Sequence, residues 1–187
     1  MSLPVKKWDR YINSELLSCI QRPQPYNYCS LSCIQAILLY FGVVQQYNEI
    51  IYYCGVNKQD MLKGRISNSN IMKFLSQYEL KSILYNQDNP IEWEVFKHLI
   101  TDQLPVIYHS PGHYSLIVGV IEEPFLKNNG DHVLFNAGKT QKWLVLGEHR
   151  VKKNSTREKG MLELVSWNQF QKIISSKNNY GLIVCQK

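Results

Sequence analysis

Two residues in this sequence, far apart along the chain, have the types and settings to make a nucleophile between them. Cys29 stands at the head of an apolar, helix-like run, where the positive end of the peptide dipoles favours a thiolate over a thiol. His113 follows Pro111-Gly112 and precedes the strongly apolar stretch from Tyr114 to Ile121, so a turn delivers an imidazole to the first position of a strand. An imidazole so placed can take the thiol proton and later return it to a leaving group. A third group is needed to hold the ring in the productive tautomer. The next strand-like run, His132 to Asn136, ends before Ala137-Gly138, and Asn136 is the expected orienting residue, with Asp131 its substitute if the hairpin register is shifted. Acyl transfer also requires donors for the developing oxyanion, usually the nucleophile's backbone N–H plus a side-chain amide from the loop before it. Gln24 is the best placed amide and Gln21 the alternative.

These side chains need a scaffold, and the apolar periodicity predicts one. Cys29, Cys33, Ala36, Ile37 and Tyr40 follow helical spacing to about Phe41, and Gly42 supplies the stop. Ile34, Leu38 and Phe41 make the other side apolar too, so this helix belongs inside the domain. The two prolines in Gln21 to Asn27 make the preceding segment a loop. Further helices are expected near Asn48 to Cys54, from about Asn68 to Tyr78 with Ser67 or Asn68 as cap, and from Pro90 through the Trp93, Phe96, Leu99, Ile100 stripe. Leu80 to Tyr85 reads as a strand. Leu104 to His109, His113 to Ile121, His132 to Asn136 and Trp143 to Leu146 read as an antiparallel sheet, followed by a helix near Ser166 to Ser175 and a strand from Tyr180 to Cys185. Helices first and sheet second is the α+β class, here as a single domain over residues 1–187.

With 187 residues, 44% of them apolar or aromatic, the chain can bury a core without disulfides or metals. Five cysteines at irregular spacing, Cys19, Cys29, Cys33, Cys54 and Cys185, argue against a disulfide framework. Cys33 and the remaining three read as packing residues, and a Cys29/Cys33/His113 metal site lacks the second ligand pair of a zinc motif. No cofactor motif is present. His109 is the rival base, four residues before His113, whereas His98, His132 and His149 read as surface or edge positions. Lys and Arg exceed Asp and Glu by 21 − 15 = 6, with much of the excess between Lys139 and Lys159. No nucleic-acid reader motif accompanies that charge, so it reads as a solvated loop rather than a nucleic-acid surface. Charged residues interrupt Met1 to Ile20, and no run has the length of a membrane span, which predicts a cytoplasmic protein without membrane insertion, export by a route without a cleavable signal being the alternative.

The segment from Cys29 to Gly42 resembles the nucleophile helix of the bacteriocin-processing, double-glycine leader peptidases of the papain-like superfamily, a cysteine opening a helix that closes on an aromatic pair and glycine. Leu104-Pro105-Val106-Ile107 followed by Gly112-His113-Tyr114-Ser115-Leu116-Ile117-Val118-Gly119 is similar to that family's histidine strand and the strand before it, and Gly64 to Ser67 is also similar. The likeness runs from about Gln21 to Asn136. It departs at Ser30, where the family has glycine, at the spacing of Gln24 from Cys29, at Asn136 in place of aspartate, and in a longer hairpin after His113. The resemblance implies a papain-like fold, a nucleophile helix packed on a C-terminal antiparallel sheet, and a cysteine-dependent acyl hydrolase or peptidase acting on a peptide or protein amide through Cys29, His113 and Asn136. A glutamine deamidase, an acyltransferase and an inactive peptide-binding domain share that fold and remain alternatives, as does a basic interaction module.

Overall fold

The computed structural model describes residues 9–20, 28–54, 66–129, 132–147, 162–176 and 180–187, and of 9, 124–129 and 132–139 it describes the backbone. In chain order the elements are β1 (Asp9–Ile12), α1 (Ser14–Ser18), α2 (Cys29–Tyr40), α3 (Tyr47–Tyr53), α4 (Asn68–Ser76), β2 (Lys81–Tyr85), α5 (Trp93–Thr101), β3 (Val106–Ser110), β4 (His113–Asn129), β5 (His132–Gly147), β6 (Leu162–Ser166), α6 (Trp167–Ile174) and β7 (Gly181–Gln186).

The ends of these helices follow from local chemistry. At the end of α2 the N–H of Gly42 bonds the carbonyl of Leu39 at 2.9 Å and that of Val43 bonds Leu38 at 2.8 Å. This is a Schellman closure, and Gly42 fills its left-handed position at φ +80°. Ser67 caps α4 by accepting from the Asn70 N–H, and Ser166 caps α6 by accepting from Gln169. The expected start of α5 at Pro90 is displaced: the helix begins at Trp93, with Glu92 as its extended cap residue. Asn86 accounts for the delay, because its side chain accepts from the backbone of Asp88 and Asn89 and its N–H bonds the Asn89 carbonyl. Asn89-Pro90 therefore closes an Asx turn instead of opening a helix.

The strands form a sheet in the order β2-β7-β3-β4-β5-β6, every pairing antiparallel, with β1 pairing β4 beyond the end of β3. The α+β class is thus observed, although the sheet also draws β1 and β2 from the helical half of the chain. His132 to Asn136 and Trp143 to Leu146, expected as two strands, are parts of the single strand β5. Close passage of β1 over β4 depends on Gly119, since a Cβ there would meet the Tyr11 carbonyl oxygen.

Side chains alternate across β4 and so serve two cores. Tyr114, Leu116 and Val118 join Leu31, Ile34, Ile37 and Leu38 of α2 on one face. Ile117 and Val120 join Trp93 and Phe96 of α5 and Trp167 and Phe170 of α6 on the other. Trp167 stacks on Phe96 at 5.3 Å and on Phe170 at 4.8 Å, which locks the two outer helices together. The all-round apolar character of α2 is explained by its position: nine of its twelve residues are buried. Each of its buried aliphatic side chains contributes about 1.5–3 kcal/mol, so the helix is fixed rigidly against β4.

Candidate active site

The N-terminus of α2 and the start of β4 meet at Cys29. Tyr28 occupies the cap position of α2 and provides no side-chain cap bond. The first N–H groups of the helix are therefore left for another acceptor. Tyr28 sets its ring edge-on to Tyr47 at 5.5 Å, and the Tyr47 hydroxyl lies 3.1 Å from Ser32 Oγ, which ties the first turn of α2 to α3.

On the opposite side, Ser110 and His113 are paired across a two-residue turn. Pro111 and Gly112 occupy it, with Gly112 at φ +69°. Proline at the first central position and a left-handed glycine at the second is the type II pattern. This turn aims His113 from a strand that is itself buried on both faces.

Cys29 is buried, and burial alone would push its thiol upward; the opposing contacts win. The His113 side chain hydrogen-bonds the sulfur, the Tyr114 backbone N–H donates to it, the charge of His113 attracts it, and the Ser30 N–H adds a further bond, so the thiol lies below the ordinary value. The other cysteines with a resolved shift go the opposite way. Burial raises Cys19, and it pushes Cys54 up to about 11 and Cys185 up to about 12. All five cysteines are free thiols. Cys33, one turn into α2, is fully buried in the core.

His109, the rival base, does not share the place of His113. Its ring stacks face to face on Tyr114 at 4.1 Å and meets Tyr180 edge-on at 5.2 Å. Its cross-strand partner is Tyr114, not the sulfur.

Asn136 requires a correction. On β5 it follows Phe135, which pairs with Leu126, and precedes Thr140, which pairs with Pro124. Its level on β4, between Pro124 and Leu126, is thus about twelve residues from His113, on the order of 40 Å of extended chain. The half of β5 that lies beside the start of β4 is its far end, where Leu146 pairs with Ile117 and Gly147 with Leu116. The sequence reading paired the wrong half of β5 with His113 because it took one long strand for two short ones. Gln24, Gln21 and Asp131, and the basic segment beyond Gly147, lie outside the described residues. Before Gly147, where the basic stretch from Lys139 to Lys159 is still described, Lys142 sits 3.6 Å from Glu94 and over the Trp93 ring at 5.3 Å.

Sequence reasoning also missed Tyr114 and Asn68. The Tyr114 hydroxyl donates its one proton to two acceptors in a shared bond, the Ile66 carbonyl oxygen at 2.7 Å and Asn68 Oδ1 at 3.1 Å, and the side chains of Tyr114 and Asn68 are buried. The aromatic residue directly after the base was the available signal for Tyr114, whereas Asn68 was legible only as a helix cap. Among the described residues no group of three or more His, Cys, Asp or Glu is arranged to hold a metal ion, and no helix is long and apolar enough to cross a membrane.

No protein-family model and no curated protein matches the sequence. Among solved structures, the fold is similar to a double-glycine-motif protease from an AMS/PCAT transporter, solved with its leader peptide, at TM-score 0.49 and 14% identity over 90% of this chain and 91% of that one. It is similar at the same TM-score and identity to the peptidase domain of Streptococcus ComA, a bifunctional ABC transporter of a quorum-sensing pathway, over 88% of this chain and 96% of that one.

Proposed function

We propose that this chain is a cysteine-dependent acyl hydrolase acting on a peptide or protein amide, with Cys29 as nucleophile and His113 as general base and then general acid. The observation that carries this reading is the hydrogen bond between His113 and a helix-terminal sulfur whose thiol is lowered, where burial raises those of Cys19, Cys54 and Cys185. In the reaction the Cys29 sulfur, having given its proton to His113, attacks the carbonyl carbon. The resulting oxyanion is held by the backbone N–H of Cys29 and by the amide of Gln24, a role that rests on its position in the sequence five residues before Cys29. Collapse of the intermediate breaks the C–N bond, His113 returns the proton to the amine, and a thioester to Cys29 remains. Water, deprotonated by His113, then releases the acid.

The fate of the thioester is read from products. Purified protein and its Cys29→Ala variant are incubated with a mixed peptide library and the products analysed by mass spectrometry. New peptide N-termini that depend on Cys29 identify a peptidase, glutamine-to-glutamate conversion without cleavage identifies a deamidase, and peptides joined to an added amine identify a transferase. Identical product sets from both proteins refute the hydrolase reading.

A further inference from the structure

The residue after the base has contacts that the reaction just described does not use. Tyr114 touches the nucleophile through its backbone N–H, while its side chain runs into the interior and ends 2.7 Å from the Ile66 carbonyl and 3.1 Å from Asn68 Oδ1. Asn68 is the first residue of α4 and only 1% exposed, so both ends of this link are held in packed interior. A phenol that needed only to fill space could be phenylalanine. A buried hydroxyl is worth keeping only if its bonds are made, and here they join the start of β4 to the start of α4.

We propose that the Tyr114–Asn68 link is a positioning device for the nucleophile: it fixes the height of β4 at His113 and Tyr114, so that the imidazole and the Tyr114 N–H both reach the Cys29 sulfur. The stack of His109 on the other face of the Tyr114 ring, with an interplanar angle of 8°, prevents the ring from swinging out of this alignment. The inference rests on the Cys29–His113 reading and adds residues to it, neither of which touches substrate.

Among the described residues, the groups that face the sulfur and its anchor come from three elements and one residue before β7. His113 and Tyr114 come from β4, Cys33 lies one turn along α2, and His109 and Tyr180 surround the Tyr114 ring. The first turn of α4 carries no acidic residue. A change in the pH profile of Cys29 after loss of the anchor therefore reports on the reach of His113 and the Tyr114 N–H.

The test is the rate of Cys29 alkylation by iodoacetamide against pH, with the Cys29 peptide quantified by mass spectrometry, for wild type, Tyr114→Phe, Asn68→Ala and His113→Ala, with a thermal melt of each. Removing one hydrogen bond's worth of alignment is expected to lower the rate on the acid side of the profile by about fivefold. The midpoint moves up and the high-pH plateau, where every thiol is ionised, stays at the wild-type rate. Asn68→Ala leaves the 2.7 Å bond to the Ile66 carbonyl in place and is expected to move the midpoint in the same direction by a smaller step; an unmoved midpoint in folded Asn68→Ala overturns the Tyr114–Asn68 link even if Tyr114→Phe does not fold. Folded variants that melt lower but keep the wild-type midpoint would show a purely structural link and overturn the proposal. The two levels of the account fail differently: a wild-type midpoint that His113→Ala shifts and Tyr114→Phe does not removes only the anchor, whereas one that His113→Ala leaves in place removes the dyad itself.

Discussion

Gly42 and Gly112 offer a matched pair of perturbations. Both hold left-handed φ values, +80° and +69°, and a Cβ added at either meets nothing within 4 Å. Substituting alanine therefore introduces no clash, and the cost is the conformational one alone, roughly 1–2 kcal/mol at each site. For a chain of 187 residues that corresponds to a melting temperature about 2–8 °C lower. The consequences for the site differ. Gly42 closes α2 at the end remote from Cys29, about 18 Å away along twelve residues of helix. Gly112 is adjacent to His113 and completes the turn that aims it. The strain of Gly112→Ala is relieved most directly by moving φ toward negative values, which rotates the start of β4 and withdraws the imidazole. Calorimetry and iodoacetamide labelling at neutral pH read the two effects separately. Similar losses of stability are expected from both variants, with slower Cys29 labelling only in Gly112→Ala. Equal labelling rates in both variants, at equal loss of stability, would refute the claim that this turn positions the base.

Asn136→Ala should leave the rate of Cys29 labelling unchanged, because the β4–β5 register separates that position from His113; a slower rate would contradict the register. At neutral pH Cys29 should label before Cys54 and Cys185, whose thiols burial holds at about 11 and about 12, as peptide mapping of a partially labelled sample will show. Ile37→Ala, at a fully buried position where α2 meets the sheet, should cost about 2–5 kcal/mol in denaturant unfolding. Burial pushes the Glu122 carboxyl up, but Lys97 at 3.0 Å, with Trp93 and Thr140, more than offsets this and holds it below the ordinary carboxylate range. A group lowered in the folded state contributes stability above its unfolded value that is lost as pH falls through the folded one. Glu122→Gln should therefore flatten the acid limb of the stability profile below the ordinary carboxylate range and leave its shape at neutral pH unchanged.

The elements that carry the dyad were legible because their signals are local. The apolar spacing from Cys29, the stop at Gly42 and the Pro111-Gly112 turn each follow from one stretch of chain, and α2 and the starts of β3 and β4 lie within two residues of their expected places. The errors lie where pairing across the sheet decides. Ala137 to Gln141 is too polar and small to read as strand, yet β5 runs through it, because ladder hydrogen bonds to β4 do not require apolar side chains. That one misreading put Asn136 beside His113. β1 and β6, four and five residues long, were not anticipated, since strands so short are defined by their partners more than by their own pattern. The Tyr114–Asn68 bond joins residues 46 apart, and nothing in either local sequence announces the other.

The central claim is that His113 holds the Cys29 sulfur as a thiolate. Its most direct measurement is the ultraviolet absorbance of the thiolate followed through a pH titration, as the difference between wild type and Cys29→Ala, in proteins with and without His113→Ala. The account predicts a Cys29 transition below that of an ordinary thiol, moved upward when the imidazole is removed. A transition at or above the ordinary thiol value, or one indifferent to His113, would contradict it.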